Sequence, residues 1–420
     1  MEKIWLPRYQ QQVPAEINAD IYPSLNALFE EACQKFHALP ALSFFQQTIN
    51  YQQWGALSQS LAAYLQNQLS LKKGAKVALM LPNCPQYMIA IFAVLQAGLV
   101  VTNINPLYTA PEFIQQSKHS EAEALIILSN YLPNVVHVIK ETKIKHVITT
   151  HLGDMLTWPQ SWQVNCSAGW LIKNQRQKDK TVLPINFLQA LKTARHLKLK
   201  PVVVAQEDLA FLQYTGGTTG IPKGAMLSHR NMLANIEQLI TWVRPVLKEG
   251  QESFITALPL YHIFAFGVSC IGMIMGMHTI LITNPRDVGA FITEIKKWDV
   301  TAMMGLNTLL VALMNHPDFK TINFSKLKMT IAGGMAMQHQ VAHDWEAVTG
   351  CKVCEGYGMT ESSPVITMNP PNAIQIGTIG VPAPNTHIRI VNDDGQDVTL
   401  GESGELWAKG PQVMKGYWQR

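Results

Sequence analysis

The chain has 420 residues, 47% hydrophobic and 15% charged, with a formal net charge of +4. It is long enough for two or more cores, too apolar for a disordered segment, and too weakly basic to argue for a nucleic-acid partner. Its six scattered cysteines are no disulfide framework and fit a reducing, cytoplasmic setting.

In chain order, residues 1–7 lack the apolar stretch of a signal peptide. The spacing of Leu25, Leu28, Phe29, Ala32 and Phe36 predicts a helix over 24–36. Residues 41–45 read as a strand, and a long amphipathic helix follows, carrying Trp54, Leu57, Leu61, Leu65 and Leu69. Strands at 77–81 and 99–103 bracket a helix over 85–97, and strands at 124–128 and 146–150 continue the pattern. Such alternation is that of a parallel sheet covered on both faces. Residues 152–205 read as a connection between two sheets, and the basic run 192–200 within them as a solvated linker, with an anionic membrane surface the weaker reading.

A second α/β unit is expected to begin with a strand at Asp208, with further strands at 253–259, 279–282, 301–305 and 328–332 and a helix over 288–298. The uncharged stretch 263–282 is long enough for a membrane span and contains Gly272 and Gly276 in small-residue spacing. Gly267, Ser269 and His278 interrupt it, so a buried helix followed by a strand is the better reading. Cys351 and Cys354 have metal-ligand spacing but no second pair, and read as part of a strand. After residue 372 the alternation at 387–391, the turn Asn392-Asp393-Asp394-Gly395 and the strand at 405–410 begin a small β unit. The expected organisation is α/β: one subdomain over 1–200, a second over 201–372, and the start of a small β subdomain over 373–420, with mostly parallel, covered sheets.

Three stretches carry chemistry. Thr215, Gly216, Gly217, Thr218, Thr219, Gly220, Pro222, Lys223 and Gly224 follow a short buried strand, and Ser228 is placed to cap a following helix. Glycines let the backbone turn and approach a ligand. Their free N–H groups form an anion-binding concavity, to which threonine hydroxyls and the Lys223 charge add. A plain surface loop is the alternative. The loop is neither a Walker loop, since Gly224 follows Lys223, nor a dinucleotide fingerprint. The second stretch, Tyr357-Gly358-Met359-Thr360-Glu361-Ser362, places a carboxylate beside two hydroxyls, a suitable oxygen set for Mg²⁺, or a simple strand-to-loop turn. The third, 258–266, carries His262, and a lone histidine is more often structural than catalytic.

The order of the first stretch resembles the signature of the adenylate-forming superfamily of acyl-CoA synthetases, luciferases and peptide-synthetase adenylation domains. Its continuation Ala225-Met226-Leu227-Ser228-His229-Arg230-Asn231 resembles the bacterial long-chain fatty-acid–CoA ligases. The resemblance implies the large N-terminal domain of that fold, with ATP, Mg²⁺ and coenzyme A as co-substrates and a fatty acid as substrate. It implies that residues 215–220 and Lys223 hold the triphosphate, that Thr215 and Glu361 contact Mg²⁺, that Thr360 touches a phosphate, and that Tyr357 and Gly358 lie at the adenine. Gly333 and Gly334 match a backbone wall between adenine and acyl group, His262 a histidine beside the acyl pocket, and Phe266 an aromatic gate over the acyl tunnel. Lys223, Glu361 and His262 are the residues expected to act in catalysis.

Adenylation domains for amino acids place an Asp where this chain has Phe264-Ala265-Phe266, so an ammonium would lack its partner and an apolar acid is favoured. Family members continue past Gly416-Tyr417-Trp418 into a mobile C-terminal domain with a catalytic Lys, which is not in this sequence. The expectation is therefore little ligase turnover by this chain alone. A non-catalytic ATP or fatty-acid binder, and a ligase for an aryl or short-chain acid, are the alternatives. Peripheral contact with the inner membrane face and a homodimer are further expectations.

Overall fold

A computed structural model describes residues 3–172, 183–215 and 223–420. The described residues form eighteen strands. The first nine are β1 (Pro40–Phe44), β2 (Gln47–Asn50), β3 (Lys76–Met80), β4 (Val100–Asn103), β5 (Ala124–Leu128), β6 (His146–Thr150), β7 (Ile185–Asn186), β8 (Leu209–Thr215) and β9 (Lys223–Ser228). The others are β10 (Ser253–Thr256), β11 (His278–Leu281), β12 (Ala302–Gly305), β13 (Met329–Ala332), β14 (Val353–Gly358), β15 (Val365–Met368), β16 (Val381–Pro382), β17 (His387–Val391) and β18 (Glu405–Lys409). They form a seven-stranded sheet in the order β7-β6-β5-β3-β4-β8-β9, a nine-stranded sheet in the order β16-β15-β14-β13-β12-β10-β11-β1-β2, and a two-stranded ribbon β17-β18. The central pairings of both large sheets are parallel. This is the expected α/β architecture with covered, mostly parallel sheets.

Sheet membership does not follow chain order. The strand expected to open a second unit, β8, pairs with β4 in the seven-stranded sheet, and β1 crosses to lie parallel to β11 in the other. Sequence-adjacent strands usually pair, and here the exceptions lock the two sheets together. The helices Leu25–Lys35, Tyr51–Asn67 and Pro85–Gln96 fill the space between them in the largest core, together with Ile263–Ile274. Pro85–Gln96 is buried from Pro85 to Leu95, as a helix that is apolar all round must be. The uncharged stretch 263–282 divides into the helix Ile263–Ile274 and strand β11, and no helix among the described residues is long and apolar enough to cross a membrane. Part of the basic run is tied down rather than free: the carbonyls of Lys198 and Lys200 accept from Asn67 and Gln66 on the helix Tyr51–Asn67.

His229 shows how the layers are joined. It begins the helix His229–Val243 directly after the Ser228 cap, and it is 1% exposed. Its Nδ1 accepts from the N–H of Leu25, the first residue of another helix, at 3.2 Å. A ring nitrogen that accepts cannot carry a proton, and burial pushes the imidazole down from 6.5 to about 4. Between those values the unfolded chain binds the proton and the folded one does not, so stability falls as pH drops from about 6.5 to about 4. The loss from this group is about 3 kcal/mol when complete. Urea midpoints measured at pH 7 and pH 4.5 should differ accordingly, and His229→Gln should shrink the difference.

Candidate functional site

The glycine-threonine loop connects the arms of a hairpin. β8 and β9 pair antiparallel, with Thr215 opposite Lys223, so the connection is 216–222. Gly216, Gly217, Thr218, Thr219 and Gly220 lie outside the described residues. The helix that Ser228 caps begins only after β9, so the loop turns back into a strand instead of opening a helix directly. Alternation along β8 puts Gln213 and Thr215 on one face. Gln213 Nε2 donates to the Tyr261 carbonyl at 2.9 Å, so that face meets the loop carrying His262.

That loop is held from two sides. Asn103 Nδ2 donates to Gln213 Oε1 at 2.9 Å, and Tyr87 donates in turn to Asn103 Oδ1 at 2.6 Å. Asn83 donates to the carbonyls of Thr256 and Leu258 and accepts from Leu260 N–H at 2.8 Å. All of these amides are buried, so removing either partner would strand the other. His262 then begins the helix Ile263–Ile274, and burial lowers its pKa, favouring the neutral ring.

The other motifs arrive from neighbouring parallel strands. Gly333 and Gly334 follow β13; Gly334 has φ +86°, where side chains are strained. The chain beyond is fixed by buried Glu355, whose Oε1 accepts from Met337 N–H at 2.9 Å, and by Asn307, which bonds Ala336 O and Gln338 N. β14 delivers Tyr357 and Gly358, and the 3-10 turn Thr360–Ser362 follows. His262, Gly333, Gly334, Tyr357, Gly358 and Thr360 together line one cavity of about 410 Å³. Its remaining wall is largely apolar and includes Phe264 and Leu306.

Phe266 does not belong to that lining. It is fully buried against Phe211 and Phe92, with ring centroids at 5.0 and 6.0 Å. Residues two apart on a helix point in nearly opposite directions, so Phe264 faces the cavity and Phe266 the core between the sheets. The residue expected as the gate thus packs between the sheets, outside the lining of this cavity.

Glu361 stands beside the hairpin. The turn Thr360–Ser362 packs against both β8 and β9. Tyr417 donates to Glu361 Oε1 at 2.7 Å, and Lys223 Nζ lies 5.4 Å from the centre of the Tyr417 ring. Thus Lys223 and Glu361, far apart in sequence, share one neighbour. Among the described residues no three His, Cys, Asp or Glu side chains gather as a ready-made metal cluster. Cys351 and Cys354 are free and buried, their thiols pushed up by burial.

Sequence reasoning passed over Asn83, Gln213, Phe264 and Tyr417. Asn83 follows Pro82 at a strand end and reads as a turn residue, and Gln213 reads as one polar residue in a strand; their partners are distant in sequence.

A model of the AMP-binding enzyme family matches residues 29–418. Over 425 aligned residues the chain is 47% identical to a long-chain-fatty-acid–CoA ligase of Salmonella typhimurium, covering all of this chain and 75% of that protein. In fold it is similar to an anthranilate CoA ligase solved with anthranoyl-AMP, with TM-score 0.83 and 19% identity, covering 96% of this chain and 73% of that one. A long-chain-fatty-acid-CoA ligase from Archaeoglobus fulgidus gives TM-score 0.80 at 24% identity, over 98% and 79%. At these identities the two structures establish the fold alone.

Proposed function

The chain belongs to the AMP-binding enzyme family, and from that premise we propose that it is the nucleotide-binding part of a ligase that activates a long-chain fatty acid with ATP to an acyl-adenylate and passes the acyl group to coenzyme A. The observation that carries the reading is the single cavity where three separate motifs meet, beside the hairpin that ends in Thr215 and Lys223.

A carboxylate is a poor electrophile because oxide is a poor leaving group. Attack by the fatty carboxylate on the α-phosphorus of ATP forms a mixed anhydride and expels pyrophosphate. Attack by the coenzyme A thiol at the acyl carbon then breaks the anhydride and releases AMP. The residues fit those needs. Lys223 places a cation at the foot of the 216–222 connection, where the β- and γ-phosphates would gather charge. The half-exposed Tyr357 ring offers an apolar face to adenine, with Gly333 and Gly334 as backbone wall. Thr360 offers a hydroxyl donor to a phosphate, and His262, whose burial favours the neutral ring, lines the same cavity. Phe264 and Leu306 favour an alkyl chain. No acid among the lining residues would pair with a substrate ammonium.

A Mg²⁺ ion would suit Glu361, a single carboxylate with the Thr360 hydroxyl in the same turn, because that cation keeps most of its shell as water and substrate phosphate. When bound it would screen the charge passing to pyrophosphate.

Palmitate-dependent exchange of labelled pyrophosphate into ATP tests the proposal. Exchange is expected with long-chain acids and at least about tenfold less with benzoate or amino acids, since each lost methylene forfeits about 0.8 kcal/mol of burial. Absence of exchange with every acid would leave only a nucleotide or fatty-acid binder, and equal exchange with benzoate would reassign the substrate.

A further inference from the structure

We propose that Tyr417 is a positioning residue for the Glu361 carboxylate: it engages one oxygen and so presents the other to a divalent cation beside the β8–β9 hairpin. The proposal rests on the reading of Glu361 as the metal-binding side chain.

Both ends of Glu361 are held by one short stretch. Met414 N–H donates to the Glu361 carbonyl at 2.8 Å, and the Tyr417 hydroxyl donates to Oε1 at 2.7 Å. That stretch is in turn fixed on β9. Met226 N–H donates to Gly416 O at 2.9 Å, Lys415 N–H to Met226 O at 3.0 Å, and Trp418 N–H to Gly224 O at 2.8 Å, with Ala225 opposite Tyr417 as an antiparallel bridge. Upstream, Asn231 Nδ2 donates to the carbonyls of Pro411 and Val413 at 2.9 and 2.8 Å. Asn231 also completes the Ser228 cap of the helix that follows β9. The returning arm of the hairpin therefore sets where the phenol stands, and the phenol sets the carboxylate.

A carboxylate with one oxygen bonded to a fixed donor has less rotational freedom, and its second oxygen faces a defined direction. Such outer partners orient metal ligands, and losing one commonly weakens metal binding ten- to a hundredfold. The Tyr417 ring takes the Lys223 ammonium over its face, so it contacts both charged groups expected at the triphosphate.

The test is calorimetric binding of a non-hydrolysable ATP analogue to the chain across a range of Mg²⁺ concentrations, in the unsubstituted protein, Tyr417→Phe and Glu361→Gln. Phe keeps the ring on Lys223 and removes only the hydroxyl. Tyr417→Phe is expected to raise the Mg²⁺ concentration for half-maximal analogue binding about tenfold, with affinity recovered at saturating Mg²⁺ and thermal midpoint unchanged. Affinity that stays low at saturating Mg²⁺ would make Tyr417 merely structural and overturn the proposal. Tyr417→Phe with unshifted Mg²⁺ dependence, while Glu361→Gln is shifted, would overturn it and leave the reading of Glu361 standing. An unshifted Glu361→Gln, or no binding of the analogue at all, would remove the reading of the site and the proposal with it.

Discussion

Glu361→Gln is expected to lower palmitate-dependent pyrophosphate exchange by at least about a hundredfold at fixed, subsaturating Mg²⁺, a loss of about 2.7 kcal/mol of transition-state stabilisation. Gln keeps an oxygen that can accept from Tyr417, so the turn Thr360–Ser362 and its contacts with β8 and β9 should persist. What is lost is the formal negative charge, and with it most of the attraction for a dication. Glu361 is only half-buried, so no desolvation penalty is relieved that would hide the effect in stability. The loss should lie in kcat/KM for ATP and leave the apparent KM for palmitate within about twofold, because nothing places Glu361 on the apolar wall. Exchange within about threefold of the unsubstituted chain would show that the carboxylate takes no part.

Gly358→Ala should be a severely damaging substitution for the addition of one methyl. A Cβ there would sit 2.0 Å from the Pro364 carbonyl oxygen, 2.8 Å from its carbon and 2.9 Å from Val365 Cα. All three are main-chain atoms, and the pairing of β14 with β15 already shifts register between Tyr357 and Gly358. No side-chain rotation can relieve that contact, so the strands must part, at a cost above about 3 kcal/mol. Tyr357 and Thr360 flank the position, so the cavity wall would move as well. Gly334→Ala provides the contrast. It too meets strain, at φ +86°, but its Cβ would have nothing within 4 Å, and the cost should be about 1–2 kcal/mol. Urea midpoints of the two variants should therefore separate clearly, with Gly358→Ala the lower.

The site was legible where the chemistry lies in contiguous motifs. Tyr357, Thr360, Gly333 and His262 meet because each motif sits at or beyond the carboxyl end of a parallel strand, β14, β13 or β10, and such ends share one rim. The helix over 24–36 was legible because its apolar residues mark one face, and that over 85–97 because Pro85 opens it and Gly98 closes it. What escaped depends on long-range pairing. β9 begins Lys223-Gly224 and reads as a continuation of the loop, so the hairpin is hidden in the sequence. Phe264 and Phe266 are both apolar, and only the start of the helix at Ile263 decides which one faces the cavity. Tyr417 sits in a polar, irregular segment whose partner is a carboxylate from another motif.

The crossing of β1 into the nine-stranded sheet has a consequence for how the chain is made. Leu42 must wait for Thr279, which is synthesised after every strand of the other large sheet is complete. At roughly 5–20 residues per second the wait is on the order of ten to fifty seconds. Throughout it, an apolar strand bearing Ala41, Leu42 and Phe44 has a vacant edge. Slowed translation between those points would lengthen the time for which that edge stays open to wrong pairing, and a chaperone binding near the N-terminus would cover it.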